Sequence, residues 1–202
     1  RYPGFSFHDD AKAFLRILHD WNQWGMCQVQ MNILDDENQA TLEGIREAGR
    51  RGVGVGVMEP LRGGLLANPP VDVKAVYDAY AVRRSPVEWG FRYLYAMPEV
   101  ITILSGMSTW AQVTDNLRIF DIPKRPTLTD EELALYQKVK ATYLARTKTR
   151  CTGCKYCQPC PMGVQIPRIF QGYDAAMLRA DSSFKAGYAQ IQADHADASQ
   201  CI

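Results

Sequence analysis

Four cysteines fall within ten residues, Cys151-Thr-Gly-Cys154-Lys-Tyr-Cys157-Gln-Pro-Cys160, and Pro161 follows directly. Thiolates recurring at every third position of a turning backbone can converge on one compact inorganic core, and the closing Cys-Pro turns the chain away from it. Three chemistries compete for such a set. Zinc usually takes two C-x2-C knuckles separated by about a dozen or more residues, so that two segments approach the tetrahedron from different sides. Three consecutive two-residue gaps leave little chain for that wrapping. Disulfides between neighbours this close would close strained loops, and nothing else in the chain suggests secretion. An iron–sulfur cluster is the reading the spacing favours.

The run resembles that of bacterial ferredoxins, which carry one more residue before the last cysteine and hold a cubane of four irons and four sulfides. Cys201 lies 41 residues beyond Cys160. In two-cluster ferredoxins the fourth cysteine of one run ligates the other cluster. By that resemblance Cys201 reads as the first ligand of a second run, against the alternative of an ordinary thiol. The expected metal ligands are therefore Cys151, Cys154, Cys157, Cys160 and Cys201, with one 4Fe-4S cluster or two. Cys27 sits inside an apolar strand and reads as a core thiol.

The bulk numbers fit a globular chain. Its 202 residues are 47% hydrophobic, enough for a sizeable core. With 23 basic and 22 acidic residues the formal net charge is +1, which gives no electrostatic case for nucleic acid. No apolar run approaches the roughly 18 residues that span a bilayer, and no signal-peptide pattern opens the chain. Six cysteines without such a signal predict a reducing compartment, the cytoplasm by default. The chain begins at Arg1, in what reads as the tail of a strand, and stops at Cys201-Ile202 after a helical stretch. Both ends lead us to expect a fragment.

Segments alternate in type ahead of the cysteines. Phe14, Leu15, Ile17, Leu18 and Trp21 recur at helical spacing over residues 10–22. Strict alternation over Met26–Leu34 predicts a strand. Residues 38–50 return to the helical pattern and end at Gly52, a helix stop. Val53–Met58 reads as a short strand, then helices near 72–82 and 86–96, a strand over Val100–Leu104 and a helix over 109–118. Short strand–helix units of this kind mean parallel strands with crossover helices. From about residue 127 the pattern changes. Thr129-Asp-Glu-Glu132 is a capping box opening a helix to about Arg146, and two more helices, 166–179 and 184–195, follow the cysteines. Gly52, Gly54 and Gly56 do not fit a dinucleotide fingerprint, because the third glycine is misplaced and no helix opens behind it. Glycines in a barrel strand instead make room for a neighbour or a ligand.

Polar residues and glycines gather at the strand ends: Gly4-Phe-Ser-Phe-His-Asp9, Gln28-Val-Gln-Met-Asn32, Met58-Glu-Pro-Leu-Arg-Gly-Gly64 and Ser105-Gly-Met-Ser-Thr109. The C-terminal ends of parallel strands are where a (β/α)8 barrel builds its active site. In this order the segments resemble the last four β/α units of an aldo/keto reductase, in the branch with a C-terminal iron–sulfur extension. The resemblance covers essentially the whole chain. It implies an α/β fold, the C-terminal half of a (β/α)8 TIM barrel, over residues 1–125 (strands 5 to 8), followed by a helical iron–sulfur extension over 126–202.

Carried over residue by residue, the resemblance assigns Ser6 and Gln28 to the nicotinamide carboxamide. It runs Met58, Pro60, Leu61 and Gly63 along the nicotinamide and pyrophosphate. Gly106, Ser108, Gln112, Asp115 and Asn116 match the family pattern G-x-S-x-x-x-Q-x-x-[DE]-N and are assigned to the adenosine end. Gln112 and Asn116, four apart, share one helical face. Met58 stands where many members stack an aromatic ring, and Phe7 where others carry a polar residue. No lysine or arginine lies within 105–116, so a 2′-phosphate preference is not signalled, and NADP and NAD both stay open.

The family's tyrosine, lysine, aspartate and histidine come from the first four barrel strands, so no catalytic residue is expected in this chain. His8 and His19 read as surface histidines, Tyr93 and Tyr95 as packing residues on a helix, and Glu59 as an acceptor anchoring its loop. The expected function is that of an aldo/keto-reductase-type oxidoreductase, its NAD(P)(H)-binding half joined to a 4Fe-4S cluster for electron transfer. Its partners would be a small carbonyl or alcohol substrate and a redox protein, with neither nucleic acid nor membrane. The competing readings are an inactive barrel serving as an electron-transfer or scaffold module, and a zinc-stabilised binding domain. On its own the chain is expected to be inactive and to self-associate through unpaired strand edges.

Overall fold

The computed structural model describes residues 2–149, 151 and 156–201. Four strands, β1 (Gly4–Ser6), β2 (Met26–Gln30), β3 (Gly54–Met58) and β4 (Val100–Ile103), form one parallel sheet in the order β1-β2-β3-β4. Between them run α1 (Ala11–Asp20), α2 (Thr41–Arg50), α3 (Val71–Asp78) and α4 (Pro86–Tyr95). Behind β4 follow α5 (Trp110–Phe120), α6 (Asp130–Arg146), α7 (Ile166–Arg179) and α8 (Phe184–Ala193). The alternation of strand and helix is the α/β pattern the sequence predicts.

Local chemistry sets the element ends. Asp10 caps α1, its carboxylate accepting from the Ala13 amide at 2.8 Å. Ser85 does the same for α4, with Pro86 in the first turn, where its missing N–H costs nothing. Helix α2 ends as expected at Gly52, whose φ of 72° lets the Val53 amide reach back to the Ala48 carbonyl at 2.9 Å. The capping box expected at α6 is present: the Glu132 amide donates to Thr129 Oγ1 and the Thr129 amide to Glu132 Oε2, both at 3.2 Å.

One strand is shorter than its alternation predicts. β2 stops at Gln30 and does not reach Leu34, because the Asn32 side chain captures the Leu34 and Asp35 amides at 3.0 and 3.1 Å. A local side-chain acceptor outcompetes the sheet ladder there.

Each strand has two faces of different character. Cys27, Val29, Val55 and Val57 are fully buried. Phe14 and Leu18 of α1 and Ile45 and Ala48 of α2 are equally inaccessible, and Phe14 packs against Phe7 with tilted rings, centroids 5.0 Å apart. The opposite face carries Ser6, Gln28, Gly56 and Thr102 in one register row. Glycines on that face make room, as expected of them. A Cβ at Gly54 would come within 2.6 Å of the Ile101 Cδ1.

The chain divides into two compact units. One is Arg1–Asn68 with Tyr77–Gln137, and the other Pro69–Val76 with Lys138–Ile202. In the first, the start of α6 is held by Tyr136, whose hydroxyl donates to the Trp89 carbonyl at 2.9 Å, and by Glu132, paired with Arg84 at 3.0 Å. In the second, the end of α6 is held by Arg146, which donates to the Met177 carbonyl and forks onto Asp72 at 2.8 and 2.9 Å. Among the described residues no helix is long and apolar enough to cross a membrane.

Candidate functional site

A cavity of about 580 Å³ opens where β3 and β4 end, within the range of small-molecule sites. It gathers Met58, Pro60, Leu61 and Gly63 from the first strand end and Gly106, Gln112 and Asn116 from the second. Seven of the residues expected to hold a cofactor thus meet in one concavity. Ser6, Gln28, Ser108 and Asp115 are not part of its lining.

Their surroundings say what each of these four does. Ser6 and Gln28 are paired neighbours on β1 and β2, Ser6 with its hydroxyl 3.2 Å from the His8 ring and Gln28 donating to the Met58 sulfur at 3.7 Å. They therefore form a polar row that leads to Met58. Ser108 is bound to Gln112, whose Oε1 accepts from the Ser108 amide (2.7 Å), the Ser108 hydroxyl (3.3 Å) and the Thr109 amide (3.1 Å). Thr109 is the true N-cap of α5 and closes a capping box with Gln112. With its carbonyl spent on the loop, what Gln112 has left for a ligand is its amide N–H. Asp115 pairs with Arg118 at 2.9 Å, while Asn116, one residue on, donates to Ser105 Oγ at 2.9 Å.

The cradle is kept open by its glycines. A Cβ at Gly64 or Gly106 would meet nothing within 4 Å, so each glycine keeps open a volume that a side chain would otherwise take. Gly63 and Gly64 have φ of 59° and 85°, a region open to glycine at no steric cost. Among the described residues the one titratable side chain lining the cavity is Glu59, whose carboxylate accepts from the Gly63 amide at 2.6 Å. That is the loop-anchoring role expected of it.

Several residues outside the cavity behave as the sequence predicts. Cys27 is fully buried, and desolvation pushes its thiol up to about 12, as befits a core thiol. His19 is exposed and bonded to Glu47 at 3.1 Å. Tyr93 is buried against Tyr136, and burial, with Asp36 beside it, raises its pKa far above the usual phenol range.

The residues that sequence reasoning missed lie just past β2. Asn32 is fully buried and Asp35 nearly so, and together they bind the loop that follows β3. The signal was an Asn and two Asp at the end of an apolar alternation, which disguised a turn as strand.

The cysteine run is partly in view. Cys151 and Cys160 are half-buried, Cys157 and Cys201 are exposed, and none of these four is in a disulfide. Cys154 lies outside the described residues. Among the described residues no group of three or more His, Cys, Asp or Glu is gathered as a metal site. The donor set itself fits soft-metal chemistry: these thiols are accessible, in contrast to Cys27. Upstream, the buried Asp174 clamps the approach to Cys151. Its carboxylate accepts from the Lys148 amide (2.9 Å), the Thr149 amide (3.1 Å) and the Thr149 hydroxyl (2.7 Å), and the Cys151 amide donates to Thr149 Oγ1. Downstream, Gln158 accepts from the Cys160 amide and donates to the Val164 carbonyl. A larger cavity, about 750 Å³, lies between α7 and α8 and is walled by Phe170, Tyr173, Phe184 and Tyr188. It contains none of the expected site residues.

Comparison with known proteins bears on the first unit and the start of the second. The model of the aldo/keto reductase family matches residues 1–141. No curated protein matches the chain. Among solved structures, the aldo-keto reductase AKR11C1 from Bacillus halodurans, in holo and apo forms, superposes with a TM-score of 0.55 at 24% identity, over 69% of this chain and 50% of that one. The thermostable aldo-keto reductase Tm1743, in complex with the inhibitor epalrestat, gives 0.53 at 22% identity over 69% and 48%. These likenesses show a shared fold, and the chain spans about half the length of the structures it matches.

Proposed function

Because the chain belongs to the aldo/keto reductase family, we propose that it forms the NAD(P)(H)-binding half of an oxidoreductase acting on a small carbonyl or alcohol. The single observation that carries this reading is the 580 Å³ cavity in which Met58, Pro60, Leu61, Gly63, Gly106, Gln112 and Asn116 converge. When bound, the nicotinamide supplies the hydride. In this reading Ser6 and Gln28 fix its carboxamide, and the sulfur of Met58 covers the ring face. The glycines at 63, 64 and 106 admit the pyrophosphate, and Gln112 and Asn116 hold the adenosine, with Ser108 and Asp115 supporting that helix start. The proton-donating tyrosine and its partners are expected from strands that precede β1 in a complete barrel, so the chain's own part is to bind and orient.

The four-cysteine run supports a second component, a 4Fe-4S cluster held by Cys151, Cys154, Cys157 and Cys160; where Cys201 opens a second run, Cys160 joins it on a further cluster. Such a cluster supplies single-electron transfer to a redox protein and requires reduced thiolates, as in the cytoplasm. Both parts are tested on one anaerobic preparation. Titrating NADH and NADPH against protein fluorescence should give saturable quenching, and iron and acid-labile sulfide should both approach four per cluster. No quenching by either nucleotide removes the cofactor reading. Protein free of iron and sulfide, or carrying zinc alone, removes the cluster.

A further inference from the structure

The loop that follows β3 has an unusual backbone, and an unusual anchor holds it. Glu59 and Arg62 have φ of 55° and 49°, in the left-handed region that side chains with a Cβ rarely adopt. Gly63 and Gly64 continue in the same region, so four of the six residues from 59 to 64 are left-handed. Such a conformation persists only where its surroundings over-determine it.

The over-determination comes from the neighbouring strand end. Asn32 spends all its capacity there: Nδ2 donates to the Glu59 carbonyl at 3.0 Å and to Asp35 Oδ2 at 2.9 Å, while Oδ1 accepts the Leu34 and Asp35 amides. The same Asp35 oxygen accepts from Gln30 Nε2 at 3.0 Å and from Arg62 Nε at 3.1 Å. A carboxylate 7% exposed thus ties Gln30, Asn32 and Arg62 to one point. Glu59 closes the loop internally through the Gly63 amide. The β3 loop is gripped at Glu59 by Asn32 and at Arg62 by Asp35.

We propose that Asp35 is a positioning residue: acting through Arg62, it holds the Glu59–Gly63 loop in its receiving conformation before the dinucleotide arrives. This rests on the reading of the cavity as an NAD(P)(H) site. The chemistry is preorganisation. A loop that had to find its left-handed turns on binding would weaken the apparent affinity by the fraction of time it spends in them. The pairing engages the Arg62 guanidinium through Nε, so in this reading the bond to Asp35 is what couples Arg62 to the loop.

The test is a double-mutant cycle on Asp35→Asn and Arg62→Gln, reading the Kd of NADH and NADPH by fluorescence quenching, with thermal melting as the control for folding. If removing the anchor leaves the loop correctly formed about one tenth of the time, each single variant weakens binding about tenfold. The double variant then stays near tenfold, since both changes cut the same link. Costs that multiply to about a hundredfold would mean that Arg62 meets the ligand independently of Asp35, and would overturn the proposal. Unchanged Kd values in both singles would overturn it as well. Should Asp35→Asn fail to fold, Arg62→Gln alone decides, because that side chain is 36% exposed and its loss leaves the core intact. Wild-type protein that binds neither nucleotide would remove the cavity reading together with the inference, a result distinct from wild-type binding with indifferent variants.

Discussion

Replacing Asp174 by alanine isolates what holds the segment leading into the cysteine run. The carboxylate is 7% exposed and accepts at least three hydrogen bonds from Lys148 and Thr149, two from backbone amides and one from a hydroxyl. A hydrogen bond to a charged acceptor contributes roughly 1.5–3 kcal/mol net. Lys148 is exposed and Thr149 half-buried, so water replaces part of what is lost and the low end of that range applies. Taken together and without assuming additivity, the loss is about 2–4 kcal/mol. At about 1.4 kcal/mol per factor of ten, local opening of residues 147–149 becomes roughly 30- to 700-fold more populated. Alanine is the better helix former, so α7 itself is not weakened by the change.

Hydrogen exchange read by mass spectrometry is the direct assay. The peptide covering 147–149 should exchange faster by that factor, while peptides from the middle of α7 keep their wild-type rates. Asp174→Asn, which retains one carbonyl acceptor, should fall between the two. Thr149 Oγ1 also receives the Cys151 amide, so if the run holds the proposed cluster, anaerobically prepared variant should surrender iron to a chelator faster than wild type. Unchanged exchange at 147–149 would refute the clamp. Equal acceleration throughout α6 and α7 would show that Asp174 supports the whole unit and not the segment before the cysteines.

Cys27 should resist alkylation in the folded protein at pH 8, since a thiol raised to about 12 is ionised to the order of 10⁻⁴ there; ready labelling without denaturant would contradict its burial. Glu47 is held down to about 2 by Arg51 first, then Arg50 and His19. A depressed carboxyl stabilises above its unfolded pKa and loses that contribution as pH falls through its folded one, so Glu47→Gln should differ from wild type at pH 6 and converge with it between about pH 4.5 and 2 in acid-unfolding curves. Gly54→Ala places a methyl 2.6 Å from the end of Ile101, which must rotate away, and should cost about 1–3 kcal/mol in urea unfolding; an unchanged midpoint would mean that β4 yields freely.

The order of elements was legible because each carries its own local signal. Helix α1 shows an apolar stripe, α2 a stop at Gly52 and α6 a capping box at Thr129, each at nearly the observed residue. Strand β3 announces itself by alternating glycine and valine, and the reason, room for Ile101, is a contact 47 residues away that no local pattern could name. The residues assigned to a cofactor were legible only through the family resemblance. Gly106 and Gln112 reach the cavity, whereas Ser108 binds Gln112 and Asp115 binds Arg118. A sequence pattern ranks these together; the direction of each side chain separates those that face a ligand from those that hold the facing ones in place.

What stayed hidden shares one physical cause. Asn32 and Asp35 follow β2 in a run whose alternation continues past the last ladder bond, and nothing local distinguishes a residue that extends a sheet from one that folds its side chain back onto the next two amides. Their partners, Glu59 and Arg62, lie 27 residues downstream in a loop whose left-handed backbone is equally silent, because neither is glycine. Buried polar anchors of this kind are costly unless every donor and acceptor is met, and here they are met by residues from two strand ends. Wherever two β/α units must present their loops to one ligand, the register between those loops needs a fixing device. In this chain that device is a buried amide and carboxylate set one strand away from the loop they hold.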